Sequence, residues 1–238
     1  MNRIVYLCAM CASLPAATIS FTFNGAVNAS AVQRSLDSGT TWTAQNVGQM
    51  QVTVSSTSGF AGPVPTVFWT FCVEPAQGIS AGTSYTYDIN PLQNAPTNVS
   101  GGMGAIKADL LRELYGRYYS TFQQTLTVVN ASALQIATWE IIRETTATYN
   151  VSTGSIQFKD AASPNPNFAA IVLAANTMLS SLNGTGPMLT QLYSIQHATN
   201  QDLAFRSEVT IPEPGTCVLT ALALALAWRR RQNPPRLQ

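Results

Sequence analysis

The chain reads as an α+β protein: an antiparallel β-sheet or sandwich-like part with three helices inserted and strands returning at the C-terminal end. Up to Ile89 apolar residues recur at every second position, as in strands with one buried face. From Ile106 to Leu182 they recur at spacings of three and four, as in helices, and after Met188 short alternating runs return. Strands, then helices, then strands favour segregated layers over a regularly alternating α/β sheet.

Taken in order, Ile19, Phe21 and Phe23 mark a first strand, and Met50, Val52 and Val54 a second. Asn24 to Gly48 between them reads as a long polar loop. Val67, Trp69, Phe71 and Val73 mark a third strand, in which Cys72 shares a face with Phe68 and Thr70, so its thiol is expected to be partly shielded. Tyr85, Tyr87 and Ile89 form a fourth. The first helix spans Ala105 to Tyr119, with Ile106, Leu110, Leu111, Leu114, Tyr115 and Tyr118 inward. Gly101-Gly102-Met103-Gly104 opens it, and lacks the lysine and preceding strand of a phosphate loop. A second helix starts near Asn130 to Ser132, which can cap it, and buries Leu134, Ala137, Thr138, Ile141 and Ile142. The third runs from Asn167 with Phe168, Ile171, Val172, Ala175, Met178, Leu179 and Leu182 inward, and Gly184 stops it. Met188 to His197 and Asp202 to Thr210 are the returning strands.

The two ends have a different character. Met1-Asn2-Arg3, the apolar run Ile4 to Leu14 and Pro15-Ala16-Ala17 make an export signal over residues 1–17. Cys11 follows Cys8-Ala9-Met10, a poor match to a lipid-attachment site. Near the other end, Pro212-Glu213-Pro214 precedes an apolar run from Cys217 to Trp228, closed by Arg229, Arg230 and Arg231. At about 1.5 Å per residue this helix is short for a hydrocarbon core of about 30 Å. The arginines put residues 232–238 on the cytoplasmic side and the main part outside.

This tail, residues 211–231, resembles the PEP-CTERM sorting signal of Gram-negative bacteria, although its apolar run is short and Gln232 to Gln238 extends beyond the arginines. The resemblance implies an exosortase as partner and removal of the tail near Pro212 to Pro214. It also implies transient inner-membrane anchoring through the C-terminal helix, then delivery to the cell surface, outer membrane or exopolysaccharide matrix. A simple membrane anchor is the alternative.

Between the ends, about 190 residues suffice for one domain. Of 12 basic and 11 acidic residues, five basic and one acidic lie in the ends, so this part has a net charge of −3 and no basic stretch suited to nucleic acid. Cys72 is its only cysteine, an unusual residue for an oxidising compartment. Leu134-Gln135-Ile136-Ala137-Thr138-Trp139 sets Gln135 in an apolar helical face, one turn from Trp139, where an unpaired amide costs about 1–3 kcal/mol. Condensation of the thiol with the amide, with loss of ammonia, would replace both groups with one less polar thioester.

With Phe71-Cys72-Val73 and the Gln135 motif in this order, residues 18–210 resemble the thioester domains of bacterial surface adhesins, with Thr138 less apolar than that pattern expects. The Ala105–Tyr119 helix and Asn200-Gln201-Asp202-Leu203 resemble the versions in PEP-CTERM proteins. The resemblance implies a Cys72–Gln135 cross-link that couples covalently to an amine-bearing surface or matrix molecule. Trp69, Phe71, Tyr115 and Trp139 are candidates to keep it dry. The chain has two lysines, Lys107 and Lys159, which would limit coupling between copies.

An enzyme is not expected. His197 is the only histidine available as a base, no residue set suits a metal, and no cofactor is implied. Glu74, Glu140 and Glu144 show no spacing that singles out an acid/base pair, although Glu140 beside Trp139 could polarise the thioester region. The alternatives are a non-reactive structural or exopolysaccharide-matrix protein, and a noncovalent carbohydrate-binding module using Tyr85 and Tyr87. Asn28, Asn98, Asn130, Asn150 and Asn183 head Asn-x-Ser/Thr sequences that a Ser- and Asn-rich bacterial chain yields by chance.

Overall fold

A long β-hairpin frames the molecule. The structure is a computed structural model describing residues 16–60, 63–146 and 148–207. The expected export signal, apart from Ala16 and Ala17, lies outside the described residues, as do Glu208 to Thr210 and the sorting residues Pro212, Glu213, Pro214, Arg229, Arg230 and Arg231. Among the described residues no helix is long and apolar enough to cross a membrane.

Strands β1 (Thr18–Ser35) and β2 (Thr43–Ser58) pair antiparallel along nearly their whole length. Asn24 to Gly48, expected as a polar loop, therefore forms the distal half of this hairpin and a short turn. The alternation is hidden there because the register shifts between Phe23 and Gly25 and between Val27 and Ser30. Across these shifts the inward positions change from the odd-numbered Phe21 and Phe23 to even-numbered residues. Beyond the second shift Ser30, Val32 and Arg34 point inward.

Strand β3 (Val67–Thr70) pairs with β2, and β4 (Thr83–Pro91) with the first half of β1. A strand absent from the sequence reading, β5 (Gln157–Asp160), pairs with Val32 to Ser35 at the far end of β1. The returning strands are β6 (Leu192–Gln196) on β4 and β7 (Leu203–Arg206) on β6, giving the order β3-β2-β1-β4-β6-β7, all antiparallel. The two outer edges then meet. Ala204 N–H donates to Phe71 O at 2.8 Å and Val73 N–H to Asp202 O at 2.8 Å, so the sheet closes into a nearly barrel-like form along a seam at Cys72 and Leu203.

Helices α1 (Gly104–Tyr118), α2 (Val128–Arg143) and α3 (Phe168–Ser180) pack together against the hairpin. Every residue of α2 from Ala131 to Ile142 is buried, because α1, α3, β1 and β2 all contact it. A helix apolar on all sides belongs in a core. Its cap is Thr127, whose hydroxyl accepts Asn130 N–H at 3.3 Å, three residues ahead of the expected start. In α1 the expected inward face holds for Leu111, Leu114 and Tyr115, while Ile106 is 80% exposed on the first turn. In α3, Ile171, Ala175, Met178 and Leu179 are buried as expected.

Candidate functional site

Cys72 lies just past β3, where the sheet changes partners. Backbone groups of successive strand residues point to opposite sides. Phe71 O and Val73 N–H are taken by Ala204 of β7 and by Asp202 just before it, so the N–H and C=O of Cys72 face the other way, beyond the end of the β2 pairing at Met50 and Thr70. The side chain of Gln135 fills that place. Cys72 N–H donates to Gln135 Oε1 at 2.9 Å, and Gln135 Nε2 donates to Cys72 O at 2.9 Å. A carboxamide carries an acceptor and a donor side by side, and can stand in for a one-residue strand. The amide expected to be unpaired is thus engaged at both its oxygen and its nitrogen, by the residue it was expected to meet.

Both groups are dry: Cys72 is 0% exposed and Gln135 1%. The thiol donates to Glu74 O at 2.9 Å, and its sulfur accepts Glu74 N–H at 3.1 Å. Gln201 Nε2 reaches the same Glu74 O at 3.3 Å. Burial pushes the thiol well above its ordinary pKa, opposed by the Glu74 backbone contact, the Trp139 side chain and the charge of Arg34. The resting sulfur is therefore a neutral thiol. Gln135 is thus held on the backbone of the residue that carries this thiol.

Phe71, Tyr115 and Trp139, three of the four residues expected to shield the pair, are buried in the same core as Cys72. Phe71 meets Tyr115 and Tyr119 edge-on, with ring centres 5.9 and 5.2 Å apart, and Phe122 stacks on Tyr115 at 6.0 Å. Trp139 lies flat against Phe158 of β5 at 6.3 Å. Trp69 is half-buried on the opposite face of β3 from Phe68 and Thr70. Thr138, polar where an apolar residue was expected, is fully buried and uses its hydroxyl on Leu134 O at 2.8 Å and Tyr115 Oη at 3.3 Å. Tyr119 and Phe122 could have been read from the aromatic spacing after α1; β5 and its Phe158 gave no comparable signal.

Other candidates lie elsewhere. Glu140 is buried, accepts Asn150 N–H at 2.8 Å and is pushed up to about 7 by burial, so it serves the 148–156 segment. Glu144 is held below its ordinary range by N–H groups of Ser155, Thr145 and Thr146. Glu74 lies at the seam, accepting from Ala76 N–H and Asn98 Nδ2, so the three carboxylates form no acid/base pair. His197 Nδ1 accepts Thr199 N–H at 3.2 Å, within its own turn. Tyr87, named as an exposed aromatic for carbohydrate, is 1% exposed and packs against Phe21 and His197, which removes it from that role; Tyr85 is half-buried. Among the described residues no cluster of three or more His, Cys, Asp or Glu could hold a metal.

Comparisons of this chain with protein-family models, curated proteins and solved structures find no match.

Proposed function

We propose that this is an exported surface protein whose Cys72 and Gln135 form an internal thioester that captures an amine-bearing surface or matrix molecule. The observation that carries the reading is the Gln135 carboxamide clasped on the Cys72 backbone within a dry, aromatic-walled site. In forming the bond, the sulfur adds to the Gln135 acyl carbon and the amide nitrogen leaves as ammonia. In capture, an amine adds to the same carbon, the C–S bond breaks with its electron pair going to sulfur, and a proton from the amine returns the thiol. Exclusion of water slows the competing hydrolysis.

The two lysines fit such chemistry. Lys107 Nζ donates to Ile142 O at 2.7 Å, and Lys159 Nζ lies 4.1 Å over the Trp42 ring, so each ammonium is engaged within its own molecule. Export through the 1–17 signal, sorting by an exosortase through residues 211–231 and release at the cell surface complete the proposal on the sequence pattern.

A structural reading has its own support. The same clasp satisfies two buried backbone groups without any covalent bond, which a matrix protein with a free Cys72 would also need. The intact mass before and after methylamine, beside a Cys72→Ala control, separates the two. A mass short by one ammonia, rising on methylamine addition at Gln135 and unaltered in the control, is the expected result; full mass with a free thiol leaves the structural protein.

A further inference from the structure

We propose that Arg34 and the indole N–H of Trp139 are positioning groups that stabilise negative charge on the Cys72 sulfur as the bond to Gln135 forms or breaks. The inference rests on the covalent-capture reading and assigns the residues that make the sulfur a competent nucleophile and leaving group.

Arg34 is a buried cation. It is 7% exposed on β1, and the ion pairs among the described residues, Arg112 with Asp109 and Arg117 with Glu113, do not include it. A guanidinium taken out of water without a carboxylate partner is costly. Its Nη1 donates to Pro75 O, three residues past the cysteine, and its central carbon lies 5.3 Å from the centre of the Trp139 ring. That stack sits one helical turn from Gln135, on the α2 face that meets the seam. Two donors remain there without aligned partners, Arg34 Nε–H and Trp139 Nε1–H. Buried donors left unmatched in the resting protein are what a site provides when the charge they serve appears only during reaction.

The surrounding charges give the direction. Glu74, on the segment of Cys72 itself, opposes a thiolate, whereas Arg34 from β1 and Trp139 from α2 favour it. Tyr87 from β4 and Tyr115 from α1 also face the sulfur, and burial holds both neutral. Arg143 of α2 adds positive charge beside Arg34 and Glu74. When the amine expels the sulfur, the pair of electrons from the C–S bond resides on sulfur until the amine's proton reaches it. Arg34 neither gives nor takes a proton in this step.

The test compares Arg34→Met, Arg34→Lys and Trp139→Phe in the full chain, following methylamine uptake by intact mass together with thermal melting. Expected is a slowing by about tenfold or more in Arg34→Met, substantial recovery in Arg34→Lys and an intermediate loss in Trp139→Phe. A folded Arg34→Met protein that takes up methylamine at the wild-type rate overturns the proposal. If that variant fails to fold, an unchanged rate in Trp139→Phe, which keeps an aromatic ring and loses the N–H, does so instead. If wild type carries no thioester, the capture reading itself fails, and the pH profile of thiolate absorbance still tests the pair. Arg34→Met is expected to move its midpoint upward, and an unmoved midpoint overturns the assignment.

Discussion

Gln135 shows how one side chain can replace a strand. Its carboxamide meets both backbone groups of Cys72, so removing it leaves a buried donor and a buried acceptor bare, each at about 1–3 kcal/mol. Gln135→Ala is expected to lower the stability of the folded chain by roughly 2 kcal/mol or more by that argument, measured by denaturant melting in a Cys72→Ala background that cannot form the thioester. Gln135→Glu sets a buried carboxylate oxygen against Cys72 O, so it should cost at least as much at neutral pH. Glu140 makes a separate prediction. Burial raises its carboxyl from 4.5 to about 7, so the folded state holds a proton that the unfolded chain has already lost. Stability should therefore fall as pH rises from about 4.5 to about 7, and Glu140→Gln, which keeps an acceptor for Asn150 N–H, should flatten that slope in melting curves. The sequence motifs pointed to Cys72 and Gln135, which the structure brings together, and to Phe71, Tyr115 and Trp139, which it buries. They could not identify Arg34, because a lone arginine in a stretch with broken alternation looks like any solvated loop residue.

At the level of elements, long helices and regular strands were legible, and irregular pairing was not. The α2 and α3 patterns came through because buried apolar residues recur there without interruption. The distal half of the β1–β2 hairpin was missed because its register shifts break the period, and β5 because four residues, of which Phe158 alone is buried, carry too little pattern. Close approach between elements is equally hidden in sequence. Gly116 of α1 faces Pro187, and a Cβ there would overlap Pro187 O. A glycine-to-alanine change inside a helix normally gains about 0.5–1 kcal/mol. Gly116→Ala should instead lower the melting temperature, since α1 must move off the 187–189 segment, where Leu189 N–H bonds Arg112 O. Thr127→Ala, which removes the α2 cap, should cost about 1 kcal/mol in the same assay.

For the whole molecule, closure of the sheet is the decisive event. Residues 71–73 and β7 are far apart in the chain, and their pairing joins the first strands to the last. Ala204→Pro removes the donor to Phe71 O and should open this join, lowering the melting temperature and making Cys72 accessible to alkylating reagents that do not reach it in wild type. The lysine placement, the low charge and the sealed site are mutually consistent with the proposed capture of an amine outside the cell. The clasp has one more consequence. A primary amide can present its oxygen and a hydrogen on the same side, as Gln135 does toward Cys72. An amide substituted by a captured amine and in the usual trans form points its remaining hydrogen away from that oxygen. The donor to Cys72 O is lost when the amide nitrogen leaves as ammonia, and the coupled side chain cannot restore it, so each molecule would act once and the clasp would never be remade.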